Sequence, residues 1–122
     1  MKWNVEFDPS FDTEFASLSD AVQDELLAHA QLLAQIGPTL NRPRVDTLKG
    51  SRHSNMKELR FDADRGVWRV AFAFDPARNA ILLVAGDKRG SNERRFYRRL
   101  IQLADERFDW HLARIERQRR MP

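Results

Sequence analysis

The sequence predicts an α+β fold: a small antiparallel β-meander packed by two N-terminal helices and followed by a long C-terminal helix. Three observations carry that expectation. Residues 56–61, 67–74 and 80–85 are short runs rich in β-branched and aromatic residues, separated by Asp62-Ala63-Asp64-Arg65-Gly66 and by Asp75-Pro76-Ala77-Arg78-Asn79. That is the pattern of strands joined by successive hairpins. On either side, across 20–35 and from 92 to about 117, apolar residues recur at the three- and four-residue spacing of amphipathic helices. A chain of 122 residues with 42% hydrophobic content suits one domain over 1–122 with a single core.

The elements follow in order. Trp3-Asn4-Val5-Glu6-Phe7 alternates apolar and polar residues and predicts a short strand. Asp8-Pro9 has the form of an N-cap with proline at the first helical position, opening a helix that turns Phe11, Phe15 and Leu18 inward. Ser19 is placed to cap a second helix over 20–35, with Val22, Leu26, Leu27, Ala30 and Leu33 on its apolar stripe and Gly37-Pro38 ending it. His29 in this helix reads as a structural histidine. Residues 39–55 read as a long irregular connection made basic by Lys49, Arg52 and His53, and loops of that length are functional or mobile.

Alternation assigns the faces of the meander. Leu59 and Phe61 share one face of the first strand, Glu58 and Arg60 the other; Trp68, Val70, Phe72 and Phe74 oppose Val67, Arg69, Ala71 and Ala73 in the second. Arg69 is the one charge in its strand. Residues 81–84 are apolar on both faces, as a central strand should be. The core candidates are Leu59, Phe61, Val70, Phe72, Leu82 and Val84. After Gly86-Asp87-Lys88-Arg89-Gly90, Ser91 is placed to cap the final helix, whose stripe is Phe96, Leu100, Leu103, Ala104, Phe108, Leu112 and Ile115. Arg94, Arg95, Arg98 and Arg99 crowd its first two turns, where the helix dipole disfavours cations. An anionic ligand explains them better than helix stability does. Residues 114–120 read as a frayed, solvated end.

The net charge of +3 is unevenly distributed. Residues 1–41 hold one lysine against seven acidic residues, a balance of −6, and residues 42–122 hold twenty basic against eleven acidic residues, a balance of +9. An arginine-rich half suits phosphate binding and makes nucleic acid the leading partner class. The absence of cysteine excludes disulfides and thiolate metal sites and fits a reducing compartment. No apolar run reaches the length of a membrane span and the start of the chain lacks a signal-peptide core. The expectation is a soluble, cytoplasmic protein with no membrane contact.

No phosphate-binding glycine loop, zinc spacing or nucleophilic triad is present. What remains is a set of basic side chains with Glu58, Tyr97 and a loop histidine, a set suited to phosphodiester transfer in RNA. There the 2′-hydroxyl is the nucleophile. The protein removes its proton, stabilises the pentavalent phosphorane and protonates the leaving oxygen. No cofactor or metal is required.

The order of elements, with Leu48-Lys49-Gly50, Lys57-Glu58-Leu59-Arg60, Val67-Trp68-Arg69-Val70, Gly86-Asp87-Lys88-Arg89 and a long helix beginning near Phe96-Tyr97, resembles the RelE/ParE toxin superfamily, and within it the HigB-like branch also known from phages. The resemblance implies a RelE-like fold and a type II toxin: a ribosome-dependent mRNA endonuclease held inactive by a cognate, HigA-like helix-turn-helix antitoxin. It implies catalytic roles for Arg60, for Arg69 at the scissile phosphate, and for Lys88 and Arg89, with Glu58, Tyr97 and His53 as candidate bases. Lys49, Arg52, His53, Lys57, Arg94 and Arg95 are the expected RNA contacts. The alternatives are a ParE-like inhibitor of DNA gyrase without nuclease activity and an inactive phage-derived RNA-binding module.

Overall fold

The computed structural model describes residues 2–121. In chain order its elements are β1 (Asn4–Phe7), α1 (Pro9–Phe15), α2 (Asp20–Ile36), a 3-10 turn (Gly37–Thr39), β2 (Val45–Thr47), β3 (Met56–Ala63), β4 (Gly66–Phe74), β5 (Asn79–Asp87) and α3 (Glu93–Arg120). The β3–β4–β5 meander is the predicted one. Ala63 pairs with Gly66, so Asp64 and Arg65 alone make the first turn, both at positive φ (50° and 63°), the geometry a tight right-twisted hairpin requires. The second turn is built on Asp75, whose carboxylate accepts the Ala77 and Asn79 amides at 2.9 Å.

The meander becomes a five-stranded mixed sheet in the order β1-β5-β4-β3-β2, with β1 parallel to β5 and the other pairs antiparallel. The expected 39–55 loop therefore contains an edge strand. Val45–Thr47 is too short to announce itself by alternation, and its pairing with Lys57–Leu59 is what orders it.

Helices cover both faces. Under α1 and α2 lie Leu59, Phe61, Val70, Phe72 and Leu82 with Phe11, Leu26 and Leu33. Under α3 lie Met56, Ala71, Ala73, Ile81, Leu83 and Val84 with Leu100, Ala104 and Phe108. All six core candidates are buried, but Leu82 and Val84 fall on opposite faces. Ala71 pairs with Val84 and Phe72 with Leu82, so Leu83 is an extra residue that flips the alternation. Fully burying a side chain such as Phe72 contributes about 2–3 kcal/mol.

The caps Asp8 and Ser19 are as predicted: Asp8 accepts the Ser10 amide at 3.0 Å and Ser19 the Val22 amide at 3.3 Å. The cap of α3 is Asn92 rather than Ser91, its side chain accepting the Arg95 amide at 3.0 Å. Leu27, placed on the inward stripe of α2, is instead 47% exposed. The frayed end expected over 114–120 is helical to Arg120, with Arg114 lying 3.9 Å from the buried Asp8. At 28 residues α3 is about 42 Å long and outreaches the sheet.

Candidate active site

Register and alternation assemble the site. Arg60 pairs with Arg69 and Glu58 with Ala71, so Glu58, Arg60 and Arg69 share the face that α3 covers. Tyr97, one turn into α3, sits over them. Its hydroxyl donates to Glu58 Oε1 at 2.9 Å and accepts from Arg69 Nε at 3.2 Å. Arg69 Nη1 is spent on the Trp68 carbonyl at 2.9 Å, and its Nε lies 3.8 Å from Glu58 Oε1. Both charged side chains are nearly enclosed, 7% exposed for Glu58 and 8% for Arg69. An isolated buried charge would be costly; this pair is compensated by the shared phenol and by each other. Burial raises the Glu58 carboxyl above its ordinary range, against the Tyr97 hydrogen bond and the Arg69 and Arg60 charges, which lower it. Burial also raises the Tyr97 phenol, against the hydrogen bond from Arg69.

Lys88 and Arg60 approach this triad, and Arg89 lies at the neighbouring corner. Lys88 lies over the Tyr97 ring at 5.8 Å and holds Glu93 Oε1 at 2.8 Å. The Lys88 hydrogen bond pulls the Glu93 carboxyl below its usual range, and Arg69 and Arg60 add to the effect, so Glu93 reports a field from three cations. Arg60 is half-buried and lies 3.6 Å from Asp46, which Arg42 approaches to 3.3 Å. Arg89 reaches back to the Arg65 carbonyl and to Asp87 at 3.6 Å, while Asp87 Oδ1 accepts the Val67 and Arg89 amides, both at 3.0 Å. These bonds tie the first hairpin tip to the Lys88-Arg89 corner.

The expected RNA contacts divide. Lys49, Arg52 and Arg94 line one open depression of about 660 Å³ with Tyr97 and Arg98. Arg95 lies on the opposite flank of α3, in a groove with Arg99 beside β5. Lys57 alternates away from Glu58 and Arg60 onto the α2 face. His53 is drawn away from the triad: its Nε2 meets Asp109 Oδ1 at 2.8 Å, and Asp109 lies three turns beyond Tyr97, about 18 Å along the helix. Arg52 also binds Asp109, and the buried Asp105 accepts the Ser51 hydroxyl and, at 3.1 Å, the Arg52 amide. Ser51–His53 is thus a clip between the loop and α3. Sequence reasoning passed over Asp46, Asp87, Glu93, Asp105 and Asp109, the carboxylates that hold these cations. Asp105 and Asp109, four residues apart beside the apolar stripe of α3, were the legible signal. His29 is structural as read, its Nδ1 on the Glu25 carbonyl at 2.9 Å and its ring against Phe61. Among the described residues, no cluster of three or more His, Cys, Asp or Glu is placed to hold a metal ion, and no helix is long and apolar enough to cross a membrane.

A mixed sheet with two helices on one face and a long helix on the other is a RelE-like α+β fold. An arginine-to-alanine double variant of the Escherichia coli toxin RelE in the free state superposes with a TM-score of 0.57 over 88% of this chain and 98% of its own, at 14% identity, a likeness of fold. The chain belongs to the family described as phage-derived protein Gp49-like (DUF891), which matches residues 13–109. Two Mycobacterium tuberculosis proteins are similar. One, named toxin HigB3, is 44% identical over 105 residues, covering 86% of this chain and 90% of its own length. The other, named toxin HigB2, is 49% identical over 92 residues. That match covers 75% of this chain but 45% of HigB2, so the chain spans about half the length of that relative.

Proposed function

We propose that this chain is the toxin of a type II toxin–antitoxin system, acting over residues 1–122 as one unit in the cytoplasm, and that it cuts mRNA on the ribosome. The observation that carries the reading is the hydrogen-bonded Glu58–Tyr97–Arg69 triad with Lys88 and Arg60 beside it. The similarity to the HigB2 and HigB3 toxins supports it.

The triad is arranged for proton removal. The RNA 2′-hydroxyl gives its proton to the Tyr97 oxygen as the phenol proton passes to Glu58, whose raised affinity for a proton makes it the better acceptor. The 2′-oxygen bonds to phosphorus and the bond to the 5′-oxygen breaks, leaving a 2′,3′-cyclic phosphate. Lys88 protonates the departing oxygen. Arg60 and Arg89, half-buried and exposed respectively, neutralise charge developing on the phosphorane. Arg69 is a positioning residue here. Enclosed and bonded to Tyr97, it acts on the phosphate through the phenol it orients. The depression holding Lys49, Arg94 and Arg98 would seat the flanking message.

Primer extension on cellular mRNA after induction tests this. Cuts within translated frames are expected. DNA breaks with intact message would replace the nuclease with the gyrase reading, and intact message without DNA damage would leave an RNA-binding module.

A further inference from the structure

The outer edge of β5 is half covered. β1 pairs with Asn79–Leu82 only, and after the Asp8 amide donates to the Leu82 carbonyl at 2.9 Å the chain turns into α1. β5 runs on to Asp87 with β4 on its other side alone. The phase of that ladder can be worked out. Lys88 N–H donates to the Val67 carbonyl at 2.7 Å, so Gly86 and Val84, opposite Arg69 and Ala71, also face β4. Ala85 therefore turns its N–H and C=O outward, and among the described residues no backbone group meets them. The Leu83 carbonyl, also outward, is taken by Arg107 at 2.7 Å.

Alongside this open edge runs a groove of about 460 Å³ between β5 and α3. Its floor is Val84, Phe96, Leu100 and Leu103, and its rim carries Arg95 and Arg99, one helical turn apart. Among the described residues neither arginine has an ion pair. Gly86 closes one end tightly: a Cβ there would stand 2.9 Å from the Phe96 ring.

We infer that this groove takes a short, extended, acidic–apolar segment of the partner antitoxin, added as a strand beside Leu83–Asp87 in the lane β1 vacates. The inference rests on the toxin–antitoxin reading above. An extended peptide satisfies the outward Ala85 N–H and C=O, drops alternate side chains onto the apolar floor and offers carboxylates to the guanidiniums. RNA would use the arginines but leave the strand edge and the floor unmet, which is why a peptide is favoured.

The test uses the full chain and the antitoxin encoded beside it, with affinity, ribosomal cleavage and amide exchange measured on the same preparations. Ala85→Pro removes only an outward N–H, a position where an edge strand accepts proline. It should weaken antitoxin binding at least tenfold while cleavage persists. Arg95→Glu with Arg99→Glu should weaken it at least a hundredfold, and the Ala85 amide should become protected from exchange in the wild-type complex. Should both variants bind as the parent does, or that amide exchange equally fast in the complex, the inference is overturned. It is overturned in favour of RNA if the arginine variant loses cleavage while Ala85→Pro binds normally, and in favour of a second copy if Ala85→Pro abolishes self-association instead. A parent that cleaves but is not bound overturns this inference alone; a parent that neither cleaves nor is bound overturns the function on which it rests.

Discussion

Replacing Tyr97 with phenylalanine isolates the central hydroxyl of the site. The substitution removes one oxygen and leaves the ring, its edge contact with Phe96 and its place beneath Lys88. Two hydrogen bonds disappear, one to Glu58 and one from Arg69, each worth about 1 kcal/mol net. Arg69 Nε already stands 3.8 Å from Glu58 Oε1, so a small closure joins them directly and recovers most of that loss. Stability should therefore change by no more than about 1 kcal/mol. Catalysis has no such recovery. Without the phenol oxygen the 2′-hydroxyl loses the group that takes its proton, and general-base removal costs roughly a hundredfold or more in rate, at least ~2.7 kcal/mol of barrier. Single-turnover cleavage of a message on programmed ribosomes, beside a thermal melt, reads both quantities. A Tyr97→Phe protein that cleaves at the parental rate would refute the proton relay. One that fails to fold would refute the claim that Arg69 and Glu58 close on each other.

Other outcomes follow from neighbouring residues. Because burial raises Glu58, cleavage should fall as pH drops through a value above the ordinary ~4.3 of glutamate, and Glu58→Gln should abolish that acid limb along with most activity, as a pH–rate profile would show. Glu58→Gln also leaves the enclosed Arg69 guanidinium without its countercharge, so the variant should melt below the parent at neutral pH. Glu93→Gln frees Lys88 from its 2.8 Å partner, leaving the ammonium readier to give its proton to the departing oxygen, and should raise kcat on ribosome-bound message several-fold, a steady-state measurement. Burial pushes Asp75 up, but hydrogen bonds from His111, Asn79 and Ala77 outweigh it and hold the carboxyl below its usual value. Its folded pKa is depressed, so its contribution is present above ~3.9 and lost as pH falls through the lower folded value. Asp75→Ala should cost about 2–4 kcal/mol at neutral pH by chemical denaturation, with less difference in strong acid.

The legible parts of this chain were those dictated by local chemistry. Alternation assigned Arg69 and Arg60 to one face because a strand's period is two, and Asp8, Ser19 and Gly37 announced helix ends through backbone groups that need partners. Less legible were features set by contacts distant in sequence. β2 exists because Leu59, Glu58 and Lys57 offer it an edge, and the extra Leu83 that separates Leu82 from Val84 leaves no mark in a run of uniform apolar residues. His53 had the right chemistry, but two aspartates more than fifty residues away decide its position. The four arginines of α3 looked like one anion site; helical geometry divides them between the Lys49 depression and the β5 groove.

The most direct measurement of the account is the chemistry of the cut ends. Purified protein should cleave a defined message on programmed ribosomes to leave a 2′,3′-cyclic phosphate on one fragment and a 5′-hydroxyl on the other, because the nucleophile is the RNA's own 2′-oxygen and Tyr97 with Glu58 only moves its proton. A 3′-hydroxyl paired with a 5′-phosphate, or an intact message at enzyme concentrations that saturate the ribosome, would contradict it.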